Sequence, residues 1–167
     1  MLTAESVRQI LNYDPETGEF VWLISPNGNG RGRVVAGDRA RHIAQNGYHL
    51  IRYRGQIYRA HRLAWLYVYG VWPTQEIDHI NGDRADNRIA NLRQATSAEN
   101  HANAGRRKGN RSGIKGVSWY KPTRKWRARI VVDYREIYLG YFDTAEAAQA
   151  AYLAAAKEHF GAFARAA

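Results

Sequence analysis

The stretch DHINGDRADNRIANLRQATSAEN, residues 78–100, sets an aspartate beside a histidine and follows them with four asparagines, at 81, 87, 91 and 100. Carboxylate and amide oxygens are the donors that hard divalent cations prefer, and an imidazole that is neutral near pH 7 can take a proton from water. Asn81, Asp83 and Asp86 read better as turn formers, because short polar side chains bond to the backbone two residues on.

Charge is distributed around this stretch in three blocks. From Arg31 to Arg62 there are eight arginines and one acid, Asp38, and from Arg106 to Arg129 there are ten Lys/Arg and no acid. Between Glu76 and Glu99 five acids stand against three arginines. The flanks would draw a polyanion while the acidic centre could hold a divalent cation. The chain of 167 residues has a net charge of +10, is 45% hydrophobic and contains no cysteine. Wholesale disorder is therefore excluded, as are disulfides and cysteine-ligated zinc, and a reducing, intracellular setting is expected. The N-terminus has no basic start leading into an apolar core, so secretion is not expected. The apolar run from Leu63 to Trp72 is too short for a bilayer, which needs roughly 20 residues.

The elements that must position these groups follow from periodicity and punctuation. Leu2 to Leu11 reads as a short helix capped by Thr3, with Val7, Ile10 and Leu11 on one face, and Asp-Pro-Glu-Thr-Gly then turns the chain between two strands. SPNGNGRGR, residues 25–33, is a Gly-rich loop without a phosphate-loop signature. Turns at Asn46-Gly47 and Arg54-Gly55 bracket YHLIRY and predict a β-meander. Exposed Arg52 and Arg54 on it suit phosphate contact. HRLAWLYVYG, 61–70, is a helix stopped by Gly70. EIDHI is a strand, with Arg88 to Arg93 as its returning partner. Thr96-Ser97-Ala98-Glu99 is a capping box that starts a helix from about Ser97 to Ala104, closed by Gly105. Asn100 thus sits in the first turn of a helix that can pack beside a hairpin carrying Asp78 and His79.

This strand-loop-strand-helix resembles the ββα-metal fold of HNH endonucleases, in the phage and intron-encoded branch. The residues that carry the likeness are Asp78, His79, Gly82, Asn87, Asn91, Leu92, Arg93 and Asn100, with HRLAW upstream. The last position is Asn100 where the name-giving pattern has His, a substitution that occurs in the intron-encoded branch. The resemblance implies His79 as general base on water, Asn91 accepting from the other ring nitrogen of His79, and Asp78 with Asn100 holding Mg²⁺, or Mn²⁺. Adjacent residues on a regular strand face opposite ways, so Asp78 and His79 can serve one phosphate only if the strand ends or bulges there. His61 could pack, cap its helix or support the site. His101 is turned about 100° from Asn100 and is set aside.

Residues 102–113 are polar and basic, a tether in which Arg106, Arg107, Lys108 and Arg111 would follow a phosphate track. Three strands come next, IKGVSWYK, KWRARIVVD and EIYLGYF, and Asp143-Thr144-Ala145-Glu146 offers a capping box to an Ala-rich helix closed by Gly161. GVSWY, KWRARI, YLGYFDTAEAAQAAY and the closing FG resemble the Apetala-two/ethylene-response-factor DNA-binding domain over about residues 112–163. That likeness implies a sheet laid in the major groove, with Trp119, Lys125, Arg127, Arg129 and Tyr138 as candidate contacts, and Lys115 just before it is a further DNA-binding candidate. Alternation puts Lys125, Arg127 and Arg129 on one face and Trp126, Ala128 and Ile130 on the other.

The expected fold class is α+β. An HNH module with its β-meander covers 1–104, a basic linker 105–113, and a three-stranded antiparallel sheet on one helix 114–163. The expected function is a metal-dependent, phage-borne endonuclease of the homing type, acting on double-stranded DNA in the cytoplasm of a bacterial host, as monomer or homodimer, without a membrane. A DNA-binding regulator with a decayed nuclease and an RNA-binding module are the rival readings.

Overall fold

The computed structural model describes residues 2–26, 34–105 and 109–164. The chain divides between Gln94 and Ala95 into two units, each with its own core.

In the N-terminal unit, helix α1 (Ala4–Ile10) begins at Thr3, whose hydroxyl accepts from Ser6 N while the Ser6 hydroxyl accepts from Thr3 N. Strands β1 (Leu11–Asp14) and β2 (Glu19–Trp22) pair antiparallel, with Leu11 opposite Trp22 and Tyr13 opposite Phe20, all four buried. The Asp14 carboxylate closes the turn by accepting from Glu16 N and the Thr17 hydroxyl. Gly18, at φ +72°, is required there. A Cβ on it would lie 2.4 Å from Arg88 N and 2.5 Å from the Asn87 carbonyl carbon, so the turn rests directly on the backbone at 87–88.

Strands β3 (His42–Ile43), β4 (His49–Tyr53) and β5 (Gln56–Arg59) form a second antiparallel sheet. Its β4–β5 turn places both Arg54 and Gly55 at positive φ, as a two-residue hairpin loop demands. Helix α2 (Ala60–Tyr69) buries His61, Leu63, Ala64 and Leu66 and ends on Gly70 in the left-handed region. Strand β6 (Glu76–His79) pairs with β7 (Leu92–Ala95).

The returning strand starts at Leu92, later than the expected Arg88, and a 3-10 turn at Ile89–Asn91 precedes it. One local and one long-range interaction hold these residues in the turn. The Asp86 carboxylate grips the Arg88 guanidinium at 2.8 and 2.6 Å, and Ile89 N donates to Pro15 O.

In the C-terminal unit, helix α3 (Ser97–Asn103) opens with the expected Thr96–Glu99 capping box. Strands β8 (Val117–Tyr120), β9 (Lys125–Val132) and β10 (Arg135–Phe142) form an antiparallel sheet with β9 central. Helix α4 (Ala145–Phe160) sets Ala148, Tyr152, Ala155 and Ala156 into one core with Val117, Ala128 and Ile130. Thr144 is its N-cap, with the hydroxyl accepting from Ala147 N. Asp143 instead pairs with Lys125 at 3.0 Å, so the cap lies one residue later than a box led by Asp143 would have it. Asn110 and Ser112 tie the chain entering β8 through bonds to Ile114 O and Val117 O, a local lock on residues expected to be a tether. Among the described residues no helix is long and apolar enough to cross a membrane.

Gly116 (φ +71°) lies so close to α4 that a Cβ would fall 2.2 Å from the Tyr152 ring and 2.6 Å from Arg129 O. Gly116→Ala is expected to destabilise this unit by about 2–4 kcal/mol through backbone strain and overpacking. Denaturant titration measures it, and a shift near zero would show that the strand-to-helix approach is looser than described.

Candidate active site and nucleic-acid interface

Strand β6 stops at His79, and the chain turns at once, with Gly82 N donating to His79 O at 2.7 Å. Asp78 and His79 are 3% and 4% exposed, so each needs an internal partner. The Asp78 carboxylate accepts from Arg93 Nε at 2.8 Å in a largely buried ion pair. Removing one partner of such a pair leaves a charge uncompensated. His79 is held below its ordinary pKa first by burial, with the Asn87 hydrogen bond and Asp78 pulling the other way. The imidazole is therefore mainly neutral at pH 7.

Other rings surround it. His61 stands edge-on to His79 with centroids 5.0 Å apart, and Tyr48 lies 5.2 Å from His61 and 5.9 Å from His79. The guanidinium carbons of Arg59 and Arg84 each lie 5.0 Å from the centre of the Tyr48 ring, within cation–π range. Burial, then His79, Arg59 and Arg62, pushes the His61 pKa down to about 3.

The four asparagines separate by what they touch. Asn81 and Asp83 accept from Asp83 N and Ala85 N, the turn-forming bonds expected of them. Asn91 departs from its expected place. Its carbonyl oxygen accepts from Asn81 N at 3.0 Å, and its NH₂ donates to Asn81 Oδ1 and Asp86 O. The loop between β6 and β7 turns these polar groups inward, and Asn91 satisfies them. The bond to the His79 ring comes from Asn87, whose Oδ1 lies 3.5 Å from Nε2. Asn87 also reaches His49 Nδ1 at 3.3 Å. His49 has its own pKa lowered, by burial and then Arg41, and it lines a cleft with Phe20, Arg39, Arg41 and Arg88.

Asn100 is half-buried in the first turn of α3, which groups with the C-terminal unit rather than with the hairpin as the boundary after residue 104 would have it. A buried carboxylate oxygen from Asp78 and an amide oxygen from Asn100 are both hard donors. Taken singly, each is the donor type that a Mg²⁺-like ion prefers. Among the described residues no group of three or more His, Cys, Asp or Glu is placed to hold an ion.

Arg52, Arg54 and Arg111 are exposed, whereas Arg106, Arg107 and Lys108 lie outside the described residues. Lys115 departs from its expected role. Its ammonium donates to the carbonyls of His101, Ala102 and Ala104 at the end of α3, the partnership that a cation makes with a helix C-terminus.

Register settles the sheet faces. Trp119 is opposite Trp126, edge-on at 5.3 Å, and so lies on the α4 side although 47% exposed. It does not share a face with Arg127. On the other side Arg127 pairs with Ser118 and Tyr141, Arg129 with Tyr138, and Lys125 with Tyr120. Tyr120 and Tyr141 stack at 5.2 Å, with Arg127 over Tyr120. Tyr141 belongs to this face because a bulge between Tyr138 and Gly140 shifts the alternation by one residue. Lys125–Asp143 and Arg129–Glu136 are exposed ion pairs, of the kind that contributes little to stability. Composition gave no sign of Asn87 or His49 as a network. Arg59 and Arg84 stood only as members of basic or acidic blocks.

Residues 58–102 match the family model described as HNH endonuclease, a stretch that crosses the division after Gln94. The chain is 37% identical over 76 residues to protein 3.8 of Escherichia phage T7, a match covering 45% of this chain and 63% of that protein. It therefore spans less than two thirds of that relative. A solved structure reported as DNA binding and cleavage by the HNH homing endonuclease I-HmuI aligns with TM-score 0.41 and 24% identity, over 56% of this chain and 51% of that one.

Because His61 binds its proton far less readily in the fold, its ordinary pKa of 6.5 falling to about 3, the unfolded chain protonates first on acidification. Stability is complete above pH 6.5 and is lost as pH falls toward 3, by at most about 1.4 kcal/mol per pH unit for this one group. His61→Leu should flatten the dependence of unfolding free energy on pH between 5 and 6 by up to that amount. An unchanged slope would mean that His61 is hydrated.

Proposed function

We propose that the protein is a metal-dependent endodeoxyribonuclease of the HNH type that hydrolyses a phosphodiester bond in double-stranded DNA. The observation that carries this reading is a buried, neutral His79 beside a buried Asp78, at a strand end inside the stretch that matches the HNH endonuclease model. A neutral imidazole with one nitrogen engaged by Asn87 can use the other to take a proton from water attacking phosphorus. Asp78 and Asn100 would hold a divalent cation, Mg²⁺ or Mn²⁺, which when bound supplies Lewis-acid neutralisation of the departing 3′ oxygen. Arg59 and Arg84, gathered on Tyr48, would attract the phosphate toward His79. By family resemblance the products carry 5′-phosphate and 3′-hydroxyl ends, and the chain is of the phage-borne homing type.

The C-terminal sheet would supply DNA affinity and part of the site preference, as the Apetala-two-like resemblance over residues 112–163 implies. Its face of Lys125, Arg127, Arg129, Tyr120, Tyr138 and Tyr141 has the cationic and aromatic groups that grip sugar-phosphate and read bases in a major groove. Trp119 and Lys115 fall outside that contact set. Arg52, Arg54 and Arg111 remain available to phosphate, and Arg106, Arg107 and Lys108 keep their place in the basic segment on sequence grounds.

Supercoiled plasmid with Mg²⁺ or Mn²⁺ tests the reading. Wild type should nick it, and His79→Ala should lose nicking while its DNA affinity stays nearly unchanged. No nicking under either metal, with tight DNA binding, would favour a regulator instead. Arg127→Ala with Arg129→Ala should reduce the slope of log affinity against log salt by about 2, since each phosphate contact contributes close to one unit. An unaltered slope would remove the sheet from the interface.

A further inference from the structure

Asn87 is 1% exposed, more deeply buried than Asp78, His79 or Asn91. Its amide can take only one orientation. Ala85 O is an acceptor and nothing else, and it lies 3.0 Å from Asn87 Nδ2, so the NH₂ must face it. The second hydrogen of that NH₂ is directed at His49 Nδ1, at 3.3 Å. Oδ1 is then turned toward His79 Nε2, and an amide oxygen only accepts. For this 3.5 Å contact to be a hydrogen bond, that nitrogen carries the hydrogen, which leaves the lone pair on Nδ1. By the same reasoning His49 accepts at Nδ1 and carries its own hydrogen on Nε2.

The backbone of Asn87 is clamped as tightly as its side chain. The Tyr13 hydroxyl donates to Asn87 O at 2.7 Å, Gly18 packs against the Asn87–Arg88 peptide, and Ile89 N donates to Pro15 O. All three contacts come from the β1–β2 hairpin, and Tyr13 is itself fixed by Phe20 and Tyr67, with ring centres 4.7 and 5.6 Å away. Asn91 is directed at Asn81 and Asp86 instead.

We propose that Asn87 is the positioning residue for His79: braced by the N-terminal hairpin, it holds the imidazole as the Nε2–H tautomer and leaves Nδ1 to take the proton from water. This rests on His79 being the general base. The hairpin, remote in sequence from residues 78–100, thereby becomes part of what orients the base.

Nitrogen-15 NMR of the histidine rings in the full chain at pH 8 reads the tautomer without any need for cleavage. Wild-type His79 should be the Nε2–H form, Asn87→Ala should lose that preference, and Asn91→Ala should keep it. In nicking assays Asn87→Ala should lower kcat by about 10- to 100-fold, as loss of an orienting partner does. KM for DNA should stay within about twofold, because the interaction is not one with substrate. Tyr13→Phe, which keeps the core ring and removes only the clamp on Asn87 O, should shift the tautomer part of the way and lower kcat several-fold. It decides the matter together with the wild-type spectrum if Asn87→Ala does not fold. A wild-type His79 in the Nδ1–H form would overturn the proposal, as would a tautomer that follows Asn91 or ignores both Asn87 and Tyr13. A wild type that never nicks DNA would sink the endonuclease reading, while the spectra would still decide what holds the ring.

Discussion

Asp78 and His79 are buried next to one another at the end of a single strand, and two such groups are unfavourable in a protein interior unless each finds a partner. Arg93 on β7 answers the carboxylate and Asn87 on the connecting loop answers the imidazole. The surrounding elements keep those two partners in place. The β6–β7 pairing sets Arg93 beside Asp78. The β1–β2 hairpin fixes Asn87 through Tyr13 and Gly18, while β4 brings His49 to the far side of the same amide. Helix α2 closes the cluster with His61. Without the hairpin Asn87 would lose the anchor on its backbone and keep only its side-chain bonds to His79, His49 and Ala85.

The same division of labour applies to charge. Near His79, Arg59 and Arg84 are placed on an aromatic ring rather than on carboxylates, which keeps them in position without neutralising them. On the C-terminal sheet Lys125 and Arg129 are paired with exposed acids, and Arg127 lies over Tyr120. Exposed pairs of this kind contribute little to stability. The α4 face, by contrast, sets Ala148, Ala155 and Ala156 against the sheet core, and Gly116 makes room for its Tyr152 ring.

Much of this was legible from residue types. Thr3, Gly70, Thr96 and the Arg54-Gly55 turn act where their chemistry put them, because caps and tight turns depend on two or three neighbouring residues. The reading was weaker where a position depends on something distant. Asn91 and Asn87 are equally plausible partners for a histidine on sequence alone. Only the inward-turned groups of Asn81 and Asp86 assign Asn91 to the loop. Strict alternation cannot find Tyr141 because the bulge after Tyr138 changes the phase, and it cannot place Trp119 without the register to Trp126. Lys115 looked like one more cation in a basic tract, but the unsatisfied carbonyls ending α3 hold it. The start of the returning strand moved for a similar reason, since Pro15 lies more than seventy positions from Ile89.

Cleavage of a duplex in water labelled with heavy oxygen tests most directly whether His79 activates water against phosphorus. Mass spectrometry of the products from a Mg²⁺ reaction should find one labelled oxygen in the new 5′-phosphate and none at the 3′-hydroxyl, with His79→Ala giving no product. Product ends without the label at phosphorus, or labelled product formed equally well by His79→Ala, would contradict the account.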